Sequence, residues 1–333
     1  MRAQRLNQPG PIESGPLHLE DHPVPEVGAG EVLLRVRACG VCRTDLHIAE
    51  GEISPPELPR TPGHQVVGEV VQLGEGVEGL PVGARVGVPW LGWACGSCEA
   101  CRRGEENLCR RARFTGFHDD GGFAEFMTTK ADFALSLPQG LPDEVAAPLL
   151  CAGIIGYRSL RRAEVDPGET IALIGFGASA HLVLPVARFW GCKVYVFTRS
   201  ENHRALARRI GADWVGGLGD QAPGSVDRAV LFAPSGSLVP SSLALLRPGG
   251  TLAINAVHLS PIPRLDYRLI YEERSIRSVA NATRQDGKEF LALAAELGLR
   301  PTIASYPLAD AGQALADLKH SRVDAAAVLE VPG

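Results

Sequence analysis

What this chain lacks narrows its class before any motif is read. Nowhere among its 333 residues is there a run of eighteen apolar residues, so no segment has the length and character of a membrane-spanning helix. The polar, proline-rich N-terminus lacks the charged-then-apolar form of a secretory signal, and the expected compartment is the cytoplasm. Positive charge is not in excess. Lys and Arg number 33 against 38 Asp and Glu, and the net charge of −5 gives no electrostatic footprint for nucleic acid, so partners are expected to be small molecules or proteins. Lysine is confined to Lys130, Lys193, Lys288 and Lys319, a bias that says nothing about chemistry. Internal repeats and low-complexity tracts are absent. What is present in quantity is cysteine, eight residues in all. In a reducing compartment they do not form a disulfide framework, so their spacing is read first as metal binding or catalysis.

The length suits two domains, and the pattern changes near residue 148. Before that point short β-like runs, 32–38, 66–73 and 85–88, are separated by Gly- and Pro-rich turns, and no long amphipathic helix is visible. After it strand, glycine turn and helix alternate, which predicts an α/β domain with a parallel sheet covered by helices. Strands are expected at 170–174, 193–197, 228–232, 251–256 and 276–280. Helices are expected at 181–190, 202–210 and 238–246, the last ended by Pro248-Gly-Gly250. The tail reads as helices at 286–297 and 309–319 and a final strand at 325–331.

Cys95-Gly-Ser-Cys98-Glu-Ala-Cys101, with Cys109 seven residues beyond, is the strongest single motif. Four thiolates at this spacing suit a tetrahedral zinc with no open position, a structural site. An iron–sulfur cluster or unliganded thiols are the alternatives. Arg102, Arg103, Arg110 and Arg111 make the lobe too polar to fold on a core of its own, so metal binding would supply its folding free energy. Of the other cysteines, Cys42 and Cys151 together with His64 form a Cys₂His set, one of the recognised catalytic zinc arrangements. Spacing alone leaves open that these are small buried hydrophobes. Gly175-Phe-Gly177-Ala-Ser-Ala180 follows a β-run and opens a helix, the context in which such a turn cradles a dinucleotide pyrophosphate at a helix N-terminus.

Cys42-x-Thr44-Asp45-x-His47, Pro62-Gly-His64, the four-cysteine lobe, Leu149-Leu-Cys-Ala-Gly153 and Gly175-x-Gly177-x-x-Ala180 occur in the order seen in the zinc-dependent medium-chain alcohol dehydrogenases, and over nearly its whole length the chain resembles that family. The resemblance implies a GroES-like, β-rich catalytic domain (1–150 and 285–333) interrupted by a Rossmann, doubly wound parallel-sheet coenzyme domain (151–284). It implies two zinc ions per chain. One would be catalytic, on Cys42, His64 and Cys151, and one structural, on Cys95, Cys98, Cys101 and Cys109. Cys39 and Cys192 match no ligand position. Asp45 resembles the carboxylate that orients the ligand imidazole, with a turn or helix-cap aspartate as the plainer reading. Thr44 and His47 match a proton relay running from the bound alcohol through the cofactor ribose to an imidazole; a solvent-facing helix histidine is the bland alternative. Asn281 and Arg284 resemble the segment whose arginine reaches the pyrophosphate. Trp90 and Ile53 fall where the family lines its substrate pocket, although Trp90 could equally be core. One departure stands out. The family's glutamate after the histidine ligand is here Gln65, which puts in doubt any mechanism in which that carboxylate transiently binds the metal.

The second strand of the coenzyme domain ends Val196-Phe-Thr198-Arg199-Ser200, with no carboxylate to repel a 2′-phosphate. Arg199 could pair with that phosphate while Thr198 and Ser200 donate hydrogen bonds, so NADP(H) is favoured over NAD(H). Stacking on adenine or solvent exposure is the other reading of Arg199. The expected reaction joins a primary alcohol or aldehyde to the nicotinamide, in a homodimer or homotetramer without membrane or nucleic-acid partners. A polyol dehydrogenase would commonly have an acidic third ligand in place of Cys151, and a zinc-free quinone reductase on this fold would lack the ligands altogether. A non-enzymatic interaction protein could keep the glycine turn and lose the metal.

Overall fold

The computed structural model describes residues 1–323 and 326–331, in two compact units. The first comprises Met1–Cys151, Asn281–Ala292 and Arg300–Gly333; the second comprises Ala152–Ala280 and Leu293–Leu299.

The first unit is built on a mixed sheet whose central strand, Glu31–Val41, pairs antiparallel with Val66–Leu73, Phe126–Lys130 and Ala326–Glu330. Arg85–Val88 and Leu135–Ser136 extend one side, and Ile303–Pro307 closes the other in parallel with Ala326–Glu330. Alternation along Glu31–Val41 sends Val32, Leu34 and Val36 into a core shared with Val66, Val70, Phe123 and Leu329. The final strand was expected from Ala325, which lies outside the described residues. This unit is less purely β than the sequence suggests. An eight-residue helix, Arg43–Glu50, leaves the end of the central strand, and Asp143–Pro148 is helical too.

In the second unit six strands lie in one parallel sheet, in the order Trp214–Gly216, Lys193–Phe197, Thr170–Ile174, Val226–Leu231, Leu246–Ile254 and Ser275–Ser278. Near-continuous apolar runs such as Thr170–Ile174, buried from Ile171 onward, are what a sheet covered on both faces requires. Two features differ from the expectation. Trp214–Gly216 is an additional edge strand. Pro248-Gly-Gly250, expected as a breaker, lies inside the strand Leu246–Ile254 as a bulge: Val226 pairs with Leu246 but Arg228 pairs with Thr251. The helix before it is correspondingly shorter, Val239–Ala244. Among the described residues no helix is long and apolar enough to cross a membrane.

Candidate metal and substrate site

The first ligand sits where strand turns to helix. Cys42 is extended (φ −120°, ψ 157°) and Asp45, in the first helical turn, accepts its backbone N–H at 2.9 Å. The same carboxylate, fully buried, accepts from Gly63 N at 3.1 Å and from His64 Nδ1 at 3.0 Å. One carboxylate thus contacts both the helix start and the His64 imidazole. Because Nδ1–H is spent on Asp45, Nε2 is the nitrogen free to bind a metal. Gly63 has φ +100°, and a Cβ there would come within 2.5 Å of the Phe123 ring, so only glycine allows the turn that delivers His64.

Cys151 arrives from a π-helical turn, Leu149–Gly153, an irregularity that recurs at functional sites. One ligand atom each from Cys42, His64 and Cys151 lies within 4.8 Å of the others. Burial would pull the His64 pKa down, but the Asp45 charge and hydrogen bond outweigh it and push it up to about 10. A hydrogen bond from Cys151 holds Cys42 well below the usual thiol range; that same bond and burial hold Cys151 well above it. Two soft sulfurs on half-buried cysteines and one buried imidazole, converging at one point, fit a zinc ion with one position left for substrate. Asp45→Asn should raise the rate of zinc loss from this site about 10–100-fold while sparing the four-cysteine site, as read by competition with a coloured chelator. Equal release from wild type and variant would remove Asp45 from that role.

In the lobe, Cys95, Cys98, Cys101 and Cys109 also place their sulfurs within 4.8 Å of one another. The Cys98–Cys101 and Cys95–Cys101 separations, 3.5 and 3.9 Å, bracket the roughly 3.8 Å that tetrahedral Zn–S bonds of about 2.3 Å require. Backbone hydrogen bonds from Ser97 and Cys98, joined by the side chains of Ser97 and Arg111, bring Cys95 down to about 5, while burial beside other sulfurs pushes Cys101 up to about 12. Cys39 and Cys192, outside both sets, are fully buried thiols whose pKa burial raises.

Thr44 Oγ1 lies 3.8 Å from Cys42 Sγ. His47, one turn further along the helix, bonds through Nδ1 to the Glu52 carboxylate, a partner the sequence reading did not name. Ile53 is half-buried, its N–H donating to His47 O at 3.2 Å. Trp90 stands edge-on to His64, ring centroids 4.9 Å apart, and stacks on Phe114 at 5.0 Å. Phe114 and Phe117 are aromatic neighbours of Trp90 that the sequence does not disclose. Gln65 is buried, and its side chain lies over Gly40, where a Cβ would meet Gln65 Cδ at 2.9 Å. Asn281 and Arg284 are engaged by protein within their own unit. Asn281 Oδ1 accepts from Trp90 Nε1 at 3.1 Å, and Arg284 pairs with Glu106 at 3.2 Å over the Phe133 ring.

In the second unit, Gly175 turns with φ +85°, and a Cβ there would meet Ala233 N at 2.8 Å. At Gly177 a Cβ would meet nothing within 4 Å, so the turn opens a space beside the uncapped N-terminus of the helix Ala178–Phe189, and fully buried Ala180 packs that helix closely. This cradle fits a pyrophosphate. Thr198 is buried, and its N–H donates to Gly216 O at 2.9 Å. Arg199 and Ser200 are exposed, and Ser200 Oγ caps the next helix by accepting from His203 N. Arg204, which no sequence motif marks, donates to Thr198 O and pairs with Glu201.

Residues 28–139 match the alcohol dehydrogenase GroES-like domain family and residues 180–296 the zinc-binding dehydrogenase family. The chain belongs to the zinc-dependent medium-chain alcohol dehydrogenases. It is 46% identical to a probable alcohol dehydrogenase, AdhA, of Mycobacterium tuberculosis, over 99% of this chain and 97% of the relative. An alcohol dehydrogenase of Geobacillus stearothermophilus is 34% identical over 95% and 96% of the two chains. Among solved structures, a cinnamyl alcohol dehydrogenase of Sorghum bicolor superimposes with a TM-score of 0.90 at 28% identity, covering 99% of this chain and 97% of its own. The activity these relatives support is that of an alcohol dehydrogenase acting on a small alcohol or aldehyde.

Proposed function

We propose that this protein interconverts aldehydes and primary alcohols using NADP(H) in preference to NAD(H), with one catalytic and one structural zinc per chain. The observation that carries the reading is the convergence of Cys42, His64 and Cys151 ligand atoms within 4.8 Å beside the Trp90 indole. Zinc held there would act as a Lewis acid on the substrate oxygen, and the nicotinamide would supply or accept the hydride.

The protein's own groups handle the proton. Thr44 and His47 are three residues apart on one helix and share a face. The Thr44 hydroxyl beside Cys42 can both accept and donate, as a relay must. An ionised carboxylate only accepts, so Glu52 fixes the proton on His47 Nδ1 and leaves Nε2 as the base. Glu52→Gln, whose amide can face Nδ1 either way, should slow alcohol oxidation about tenfold, part of the 10²–10⁴ that a general base supplies. NADPH binding should be unchanged, and an undiminished kcat would separate Glu52 from the relay.

The cofactor preference rests on Arg199, exposed at the end of the strand Lys193–Phe197, and on the pairing of the nearby Glu201 carboxylate with Arg204 at 2.9 Å. That arrangement offers a guanidinium to a 2′-phosphate. Homo-oligomerisation is supported by the edge strand Ser275–Ser278, which carries exposed Ile276 and is preceded by exposed Tyr267 and Tyr271. A cytoplasmic location accords with the eight free cysteines. The test is a screen of aldehydes of graded chain length with NADPH and NADH. Turnover of aldehydes, faster with NADPH, is expected; activity confined to polyols, or none with any carbonyl substrate, would overturn the reading.

A further inference from the structure

We infer that Asn281 is a positioning residue for the substrate wall: it holds the Trp90 indole in one orientation against the ligand His64 and so sets which substrate shapes the site accepts. The inference rests on the aldehyde–alcohol reading of that site.

Stacking on Phe114, with planes 8° apart, fixes the plane of the indole, and the tilted Phe117 ring lies 5.9 Å away. Stacking is indifferent to sliding and to ring reversal. The hydrogen bond from Trp90 Nε1 to Asn281 Oδ1 at 3.1 Å selects one arrangement. Asn281 is itself held. Its Nδ2 donates to Asn107 O at 3.4 Å, and its backbone has φ +52°, a left-handed conformation that asparagine tolerates better than most residues. An indole nitrogen only donates and a carbonyl only accepts, so this amide can satisfy both neighbours in one orientation alone.

The segment around Asn281 is clamped as well. Arg284 N and Nε both donate to Glu106 Oε1, at 3.1 and 3.2 Å, and Thr283 N and Oγ1 donate to Asp286 Oδ2, at 2.8 and 2.7 Å. Glu106 and Asn107 lie three and two residues before Cys109 of the four-cysteine lobe. The lobe therefore anchors the residue that anchors the substrate wall, a task distinct from holding cofactor.

The test uses the zinc-loaded full chain. Asn281→Gly keeps the left-handed backbone and removes the amide, Asn281→Asp keeps an acceptor, and Trp90→Phe removes the indole donor. The Trp90 indole ¹⁵N–¹H resonance, assigned by its loss in Trp90→Phe, should move and exchange faster in Asn281→Gly and return towards wild type in Asn281→Asp. The ratio of kcat/KM for benzaldehyde to that for butanal should change about tenfold in Asn281→Gly, within the range a reshaped pocket produces. In a Trp90→Phe background the same substitution should change it less than twofold. An unmoved indole resonance, or a selectivity change that persists undiminished in Trp90→Phe, would overturn the inference. Weakened NADPH binding that likewise persists in Trp90→Phe would also overturn it, assigning Asn281 to the cofactor. Failure of wild type to reduce either aldehyde, with the indole resonance responding as described, would strike the proposed function alone.

Discussion

Replacing Cys42 with alanine is expected to lower the zinc content from two ions per chain to one and to reduce turnover by at least about 10⁴-fold, the scale of effect that accompanies loss of a Lewis-acid metal. The expectation follows from how much converges on this one sulfur. Cys42 opens the helix that carries Thr44, Asp45 and His47, and it lies with His64 and Cys151 in the three-residue ligand cluster. Its thiol is also the one whose pKa lies well below the usual thiol range, lowered by a hydrogen bond from Cys151. Alanine leaves one thiol and one imidazole, too few protein ligands for a catalytic zinc site. The four-cysteine lobe packs against Leu91, Ala94 and Phe133, does not include Cys42, and should keep its ion. Elemental analysis with steady-state kinetics checks both halves of the prediction, and full activity in the variant would sink the assignment of Cys42, His64 and Cys151.

Arg199→Asp should invert the cofactor preference. Removing a charge-assisted contact to a 2′-phosphate costs about 1.5–3 kcal/mol, or roughly 10–150-fold in affinity, and the new carboxylate adds repulsion. NADPH binding should therefore weaken by about 10²–10³-fold relative to NADH, measured by fluorescence titration of each cofactor. An unchanged ratio would take Arg199 out of the cofactor site.

The parts of this protein legible in its sequence are those governed by short-range spacing or by repeated patterning. The cysteines at 95, 98, 101 and 109 lie close in sequence, and the structure brings their sulfurs together. The buried strands Thr170–Ile174 and Lys193–Phe197 announce themselves as apolar runs bounded by turns, and both form where expected. The helix Arg43–Glu50 is hard to see because it is short and largely polar; its start is secured by Asp45, a carboxylate that also contacts His64. Pro248-Gly-Gly250 was misleading because a bulge and a breaker use the same residues, and only the pairing partner Val226–Leu231 distinguishes them. The partnership of Trp90 with Asn281 was invisible for a different reason. It joins residues 191 positions apart, and no local pattern reports such a contact. Glu52 lies only five residues from His47, but an exposed glutamate after a glycine has no spacing that marks it as a partner. Gln65 departs from the family pattern in the sequence itself, and its side chain is packed over Gly40.

The central claim is that Cys42, His64 and Cys151 hold a metal with one position open to the substrate oxygen. Cobalt(II) substituted for zinc at this site reports it directly, since the visible spectrum of cobalt bound to thiolates and imidazole responds to a change in its fourth ligand. Addition of a primary alcohol together with oxidised cofactor should shift the cobalt bands in wild type, and Cys42→Ala should show no responsive band. A cobalt spectrum that alcohol leaves unchanged in wild type, under conditions where cofactor is shown to be bound, would contradict the account.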